Sequence, residues 1–426
     1  MRFISLSLRP NLVLGAFVLM FLIMPDTRAL DNGVGLVPPM GWSSWNSLVD
    51  LALHEATVRE MADALLAHGL DRLGYRYVNV DCGWSHVNRT SDGQIQADPL
   101  RFPTGMAALG RYLHQRGLLF GLYTARGKRE CCGRTGYDGA EDAQRDANMF
   151  AMWGVDYLKL DSCGKNPDAH ETEWQQYAYM RDAVAATGRP MYLSICEIWV
   201  DSMAPPDACR PGAVVYSPMP WLKQGLPVGE LGNGILVEYG NNANSWETIV
   251  CMMRAQALLT YDNLTRPGIW NDNDMLTVGC SDHVVDLAYT PCKIKGAWLN
   301  AVEDRTQFTY WVITASPLIL GNDLRYMSPA TLETISNPEV IAINQDPLGH
   351  RGIAVFHSDP TDARGVTVFA KRLSGTGRRA VAVFNLSEKP IRIRVQWDWL
   401  FFGEGPWTHA KVRDLWRRAA VGGSVE

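Results

Sequence analysis

The chain has 426 residues, 47% of them hydrophobic, enough to bury a large core, which excludes intrinsic disorder and peptide-scale roles. Its 40 Lys plus Arg face 45 Asp plus Glu, and the net charge of −5 leaves no basic surface for nucleic acid. With 38 Gly, 23 Pro and 15 Trp, the composition suits a loop-rich enzyme and not a coiled coil or a helical repeat.

Residues 1–29 read as a signal peptide. Arg2 supplies a positive start, Leu12–Met24 is an apolar run of 13 residues, and Thr27-Arg28-Ala29 ends on a small residue. That run is too short to cross a bilayer core of about 30 Å. No later stretch reaches 18 apolar residues, so no membrane association is expected after cleavage. The secretory route predicts extracellular, lysosomal or vacuolar residence. It also opens the triplets starting at Asn88, Asn263 and Asn385 to glycosylation. The nine cysteines become disulfide candidates, with at least one left over, and Cys280–Cys292 is the first pair to expect. Neither Cys-x-x-Cys nor His-Glu-x-x-His occurs, so no zinc site is expected.

From Pro38 to about Ala342, β-rich runs alternate with helical patterns. Tyr75–Val80 is the first expected strand, preceded by a helix whose Val58, Met61, Ala62, Leu65 and Leu66 share one face and which Gly69 stops. Leu118–Tyr123 and Val155–Leu160 follow, with a helix over Ala143–Ala151 between them, closed by Gly154. Met191–Ile195, Ile235–Tyr239 and Tyr310–Thr314 complete the set. Such alternation implies a parallel sheet with right-handed crossovers, and its length fits a closed (β/α)8 TIM barrel over residues 30–345. After Gly349 the pattern changes to short strands: Ile353–Phe356, Val366–Ala370, Ala380–Phe384, Ile391–Val395 and one near Val412. Residues 346–426 are therefore expected to form a small antiparallel β domain.

Several barrel strands run into a polar residue just before a turn: Asp81, Tyr123, Asp161 and Glu197. In a barrel those strand ends converge on one site. Lys159 lies two residues before Asp161, on the same strand face, where its charge can keep Asp161 ionised as a carboxylate nucleophile requires. Converging carboxylates and abundant Trp suggest sugar chemistry. Retaining glycoside hydrolysis needs two carboxyls about 5–5.5 Å apart.

Six motifs carry a specific resemblance. They are Pro39-Met-Gly-Trp-Ser-Ser-Trp-Asn, Tyr77-Val-Asn-Val-Asp, Phe120-Gly-Leu-Tyr, Trp153-Gly-Val-Asp-Tyr-Leu-Lys-Leu-Asp-Ser-Cys, Trp270-Asn-Asp-Asn-Asp-Met-Leu and Asn344-Gln-Asp-Pro-Leu-Gly. The sequence resembles the α-galactosidase (melibiase) family of retaining glycoside hydrolases over residues 30–420, and its Leu30-Asp-Asn-Gly is similar to the mature start of the lysosomal branch. The resemblance implies a catalytic barrel followed by a β-sandwich, with a galactoside as substrate and without cofactor. A homodimer is compatible with it. By motif, Asp161 matches the nucleophile, and Asp81, Lys159 and Asp274 match residues that hold galactose hydroxyls. Trp45 and Tyr123 match aromatic walls of the pocket. Glu197 matches the residue facing the sugar's 2-position, where a carboxylate favours galactose over N-acetylgalactosamine. Cys131 with Cys163, and Cys196 with Cys209, match family disulfides. Trp42 and Met40 are expected in the core, and Trp270-Asn271 beneath the loop of Asp274.

Three departures stand out. Cys82 occupies the place of the family's second aspartate after the second strand and has no evident partner. Counting back from Trp246, Asn241 stands at the acid/base position and Val237 at that of an arginine. An amide delivers no proton, and acid/base catalysis is worth about 10²–10⁴-fold; Glu238 is the nearest carboxylate that could substitute. The family sandwich also continues beyond Asp414-Leu-Trp, so the β domain is expected to be truncated. The leading expectation is an exo-acting retaining α-galactosidase. The alternatives are a catalytically impaired galactose-binding homologue, or a related glycosidase acting on N-acetylgalactosamine or β-L-arabinopyranose.

Overall fold

The computed structural model describes residues 31–162, 172–196, 234–236, 246–257, 265–283, 298–358, 365–387, 389–405 and 409–421. Residues 1–29, read above as a signal peptide, and Asn263 lie outside the described residues.

Eight short parallel strands form one sheet: β1 (Met40–Ser43), β2 (Tyr77–Val80), β3 (Leu119–Ala125), β4 (Tyr157–Asp161), β5 (Tyr192–Ile195), β6 (Gly234–Leu236), β7 (Trp270–Asp272) and β8 (Leu318–Leu320). Their order is β7-β6-β5-β4-β3-β2-β1-β8. The sheet closes just past β7, where Leu276 N–H donates to the Ile319 carbonyl at 2.8 Å and Gly321 N–H to the Leu276 carbonyl at 2.9 Å. The chain is therefore a (β/α)8 barrel.

Helices on the outside follow the expected periodicity. The one over Glu55–Ala67 buries Val58, Met61, Ala62 and Leu65, and Gly69 follows it at φ +68°. The one over Ala140–Trp153 ends at Gly154 with φ +80°, a left-handed cap that costs glycine nothing.

Tight contacts explain two glycines of the family motifs. Gly121 is registered with Asn79, and a Cβ on it would lie 1.9 Å from Asn79 Oδ1. Gly41 is registered with Tyr77, and a Cβ there would meet the Tyr77 carbonyl at 2.2 Å. Both strands carry glycine because a neighbouring side chain or backbone fills the space.

One expected strand is a helix. Tyr310–Thr314 belongs to the end of the helix Ala301–Ile313 and its cap, and β8 comes later, at Leu318–Leu320. Asn300 and Glu303 form a capping box that starts this helix. Its β-branched and aromatic run is apolar all round because both sides are covered. Trp311 is fully buried and donates into the barrel, while Tyr310 meets Phe369 and Phe384 of the following domain edge-on at 5.6 and 5.9 Å.

In the C-terminal region, β9 (Ile353–His357), β10 (Val366–Arg372) and β11 (Arg379–Asn385) form an antiparallel sheet of order β11-β10-β9. β12 (Arg413–Asp414) and β13 (Ala419–Ala420) form a separate antiparallel pair near the expected position. Ile391–Val395 is irregular, in contrast to the expected strand: its alternating face of Ile391, Ile393 and Val395 finds no cover, Ile391 being exposed and the other two only half-buried.

Candidate active site

The barrel interior is layered. At the bottom, Tyr77 meets Tyr157 edge-on at 5.5 Å and Tyr157 stacks on Tyr192 at 4.9 Å, with Trp270 packed beside them. Two residues further along each strand the side chains turn polar: Ser43, Asn79, Lys159 and Asp272, which line a small cavity together with Asp274. Asp81, just past β2, and Asp161, the last residue of β4, lie two residues further on, and Tyr123 of β3 is in register with Lys159. Met40 and Trp42 are buried in the core as expected, and Trp270 sits beneath the segment of Asp274.

Asp161 ends β4 and is 9% exposed. Its Oδ2 accepts from Tyr123 Oη at 2.8 Å and its Oδ1 from Ser162 N–H at 2.7 Å. Cys131 Sγ, itself disulfide-bonded, lies 3.2 Å from Asp161 Oδ2 and 2.9 Å from Tyr123 Oη. Burial, then Asp161, Glu130 and Asp81, push the Tyr123 phenol well above its ordinary range, so it remains a neutral donor.

Lys159, in register with Tyr123 across β3 and β4, reaches towards β2 and donates to Asp81 Oδ2 at 3.2 Å. Burial opposes its charge, but Asp81, Asp274, Cys196 and Asp161 outweigh it and hold the ammonium well above its usual value. Asp81 also accepts from the Ser43 hydroxyl at 3.5 Å and from Cys82 N–H at 2.8 Å. Asp274 follows β7 at φ +68° and is 4% exposed. The structure thus brings together Asp81, Tyr123, Lys159, Asp161 and Asp274 from four strands. Trp45 is half-buried in a short helix, Trp45–Leu48, directly after β1. Glu197, Val237, Glu238 and Asn241 lie outside the described residues.

Cys82 has a partner: it is bridged to Cys132, with Cα atoms 6.0 Å apart. That bond links the loops after β2 and β3. Cys131 and Cys280 are also disulfide-bonded, and their expected partners Cys163 and Cys292 lie outside the described residues. So does Cys209; Cys196, expected to be bridged to it, instead keeps its thiol. Cys196 is buried after β5, its carbonyl accepting from Tyr177 Oη at 2.5 Å.

Two acids near the site escaped the sequence reading. Asp272 ends β7, a strand of three residues that is too short to show a period. Burial, then Asp274, pushes its carboxyl up to about 7, partly offset by the Asp274 N–H and Lys159. Glu130 is buried in the loop that carries Cys132 and accepts weakly from Gly83 N–H at 3.4 Å and the Ser85 hydroxyl at 3.5 Å. Burial holds its carboxyl well above the usual range, against the Gly83 N–H and together with Asp81. Nothing in the local sequence marks it.

The profile of the α-galactosidase A family matches residues 37–346, and that of the α-galactosidase C-terminal β-sandwich domain matches residues 363–426. The chain belongs to the α-galactosidase family. α-Galactosidase 3 of Arabidopsis thaliana is 35% identical over 395 residues, covering 92% of this chain and 78% of the relative. The α-galactosidase of Cyamopsis tetragonoloba is 34% identical over 391 residues, 91% of this chain and 82% of its own. Among solved structures, α-galactosidase I from Mortierella vinacea is similar with a TM-score of 0.73 at 27% identity, covering 92% of this chain and 93% of that one. As a member of this α-galactosidase family, the chain is a glycoside hydrolase.

Proposed function

We propose that this protein is an exo-acting retaining α-galactosidase that releases terminal α-D-galactosyl residues from oligosaccharides or glycoconjugates. The observation that carries this reading is the carboxylate of Asp161. It is oriented by Tyr123 Oη and Ser162 N–H and adjoins the Lys159–Asp81 pair at the strand ends of an α-galactosidase-family barrel.

Asp161 Oδ attacks the anomeric carbon as the bond to the aglycone oxygen breaks, which gives a covalent galactosyl-enzyme and an alcohol that has gained a proton. Water then attacks the same carbon, loses a proton to the acid/base and frees galactose and the Asp161 carboxylate. Lys159, Asp81 and Asp274 hold the ring hydroxyls: an ammonium donates, and two carboxylates accept. Glu197 sets the preference at the 2-position.

Asn241 holds the acid/base position and cannot supply the proton, so we assign that role to Glu238 in the same segment. Two α-galactosides test the assignment on the mature protein, one with an activated phenol as leaving group and one with a plain alcohol. The phenol leaves without a proton and the alcohol does not. Comparable rates on both, with the alcohol rate lost in Glu238→Gln, support Glu238. A full alcohol rate in Glu238→Gln sinks that assignment. Labelling of Asp161 and phenol release without alcohol turnover points to a nucleophile that lacks its acid. Inertness towards both, with galactose still bound, points to a sugar-binding protein.

The protein is placed in the secretory pathway, extracellular or in a lysosome or vacuole. The signal-peptide pattern of residues 1–29, the Cys82–Cys132 disulfide and the exposed Asn88 and Asn385 support that placement. A glycosidase-sensitive mass on protein recovered from the medium or from vacuoles is the expected result.

A further inference from the structure

We propose that Asp272 and Trp311 are positioning residues that hold Asp274 in the one backbone conformation from which its carboxylate meets the sugar. The inference rests on the galactose-site reading of Asp274 given above.

Asp274 has φ +68°, in the left-handed region, which is costly for a residue with a Cβ and is tolerated best by short polar side chains such as aspartate. Such a conformation persists only where the surroundings over-determine it. Here they do, on both sides of the residue. Its N–H donates to Asp272 Oδ1 at 2.9 Å, and its carbonyl accepts from the Trp311 indole at 2.7 Å. Its own Oδ1 accepts from the next residue, Met275 N–H, at 2.7 Å. All of these atoms are buried.

Both clamping residues stand on rigid elements. Asp272 is the last residue of β7, paired to β6, and Trp311 lies in the helix Ala301–Ile313. Asp272 has a carboxylate in a buried place where an apolar residue would avoid the desolvation penalty, and its Oδ1 accepts from the backbone of the residue two places on. Asp272 and Asp274 line one small cavity together with Lys159, so the residue that holds the Asp274 N–H stands at the same site as the carboxylate it positions.

The test is a double-mutant cycle read in steady-state kinetics on an activated aryl α-galactoside, with thermal melting as the fold control. Asp272→Ala is expected to raise KM by about 10- to 100-fold with kcat changed by less than about threefold, since a displaced hydroxyl acceptor costs binding. Asp272→Asn keeps the acceptor oxygen and should recover KM to within about threefold of the parent. Asp274→Ala should raise KM at least as far as Asp272→Ala, and the double variant should be no worse than Asp274→Ala alone. Trp311→Phe removes the second clamp without changing charge, and should raise KM in the same direction even if the alanine variant does not fold. Multiplicative effects of Asp272→Ala and Asp274→Ala would overturn the inference, as would a folded Trp311→Phe and Asp272→Asn pair in which only the asparagine is impaired. An Asp274→Ala enzyme with parental KM would overturn the galactose-site reading itself, and this inference with it.

Discussion

Tyr123 Oη donates to Asp161 Oδ2 at 2.8 Å although the register of β3 and β4 pairs Tyr123 with Lys159 and leaves Ala125 opposite Asp161. The phenol reaches diagonally over its neighbour, and Lys159 Nζ lies 5.6 Å from its ring centre. One aromatic side chain thereby orients the carboxylate and flanks the ammonium. Tyr123→Phe keeps the ring and removes the donor. The turnover of an activated aryl α-galactoside should fall about 10- to 100-fold, the range for a hydrogen bond to a charged group, with little change in melting temperature. An unchanged first-step rate in rapid-mixing experiments would show that Asp161 needs no such support.

Lys159 and Asp81 are largely buried, with side chains 15% and 4% exposed. Removing one member of such a pair leaves the other charged and desolvated, so Lys159→Met should cost roughly 3–5 kcal/mol of stability as well as activity. Lys159→Met combined with Asp81→Asn should regain much of the stability and none of the activity. Denaturant melts of the two variants separate the outcomes: equal midpoints would mean that the pair matters only for sugar binding.

The Cys82–Cys132 bridge closes a loop over a sequence separation of 50 residues. On chain-entropy grounds a loop of that size is worth roughly 4 kcal/mol. Cys132 is next to Cys131, whose sulfur touches Asp161, so the bridge also fixes one wall of the site. A Cys82→Ser, Cys132→Ser variant should melt lower and lose activity at temperatures where it is still folded. Full activity in that window would confine the bridge to a stability role.

Three buried carboxyls give stability an unusual pH dependence. Burial raises Asp272 to about 7 and Asp304 to about 7, in each case helped by neighbouring acids, and raises Asp146 to about 6 despite its ion pair with Arg89. An acid whose folded pKa exceeds its unfolded value binds more protons in the native state, so stability is full below the unfolded value near 4 and falls as pH rises towards 7. Glu130, held well above its usual range by burial, acts in the same sense, while His357, which burial holds below its ordinary value, and Lys371, which burial pushes down to about 7, work the other way. The melting temperature should therefore be higher at pH 5 than at pH 7.5, and Asp304→Asn should flatten the difference. A midpoint that climbs over this range would refute the linkage.

Much of the site was legible because it follows from strand geometry. Lys159 and Asp161 are two residues apart, so any strand there puts both on one face, and the alternation of β and α patterns places that face inside a barrel. Asp272 was not legible, since β7 shows no period over three residues and its importance lies in a backbone N–H two residues on. The run Tyr310–Thr314 reads as a strand by composition; it is helical because a capping box starts the helix and two layers of protein bury its flanks.

What the sequence determined by itself, then, is what depends on neighbours along the chain: period, caps, glycine stops and the motif residues at strand ends. Only the tertiary structure decided which distant groups meet. Cys82 with Cys132, Tyr123 with Asp161, and Trp311 with the Asp274 carbonyl are joined across 50, 38 and 37 positions. Such pairs are set by barrel closure and packing against the second domain, and local spacing carries no record of either.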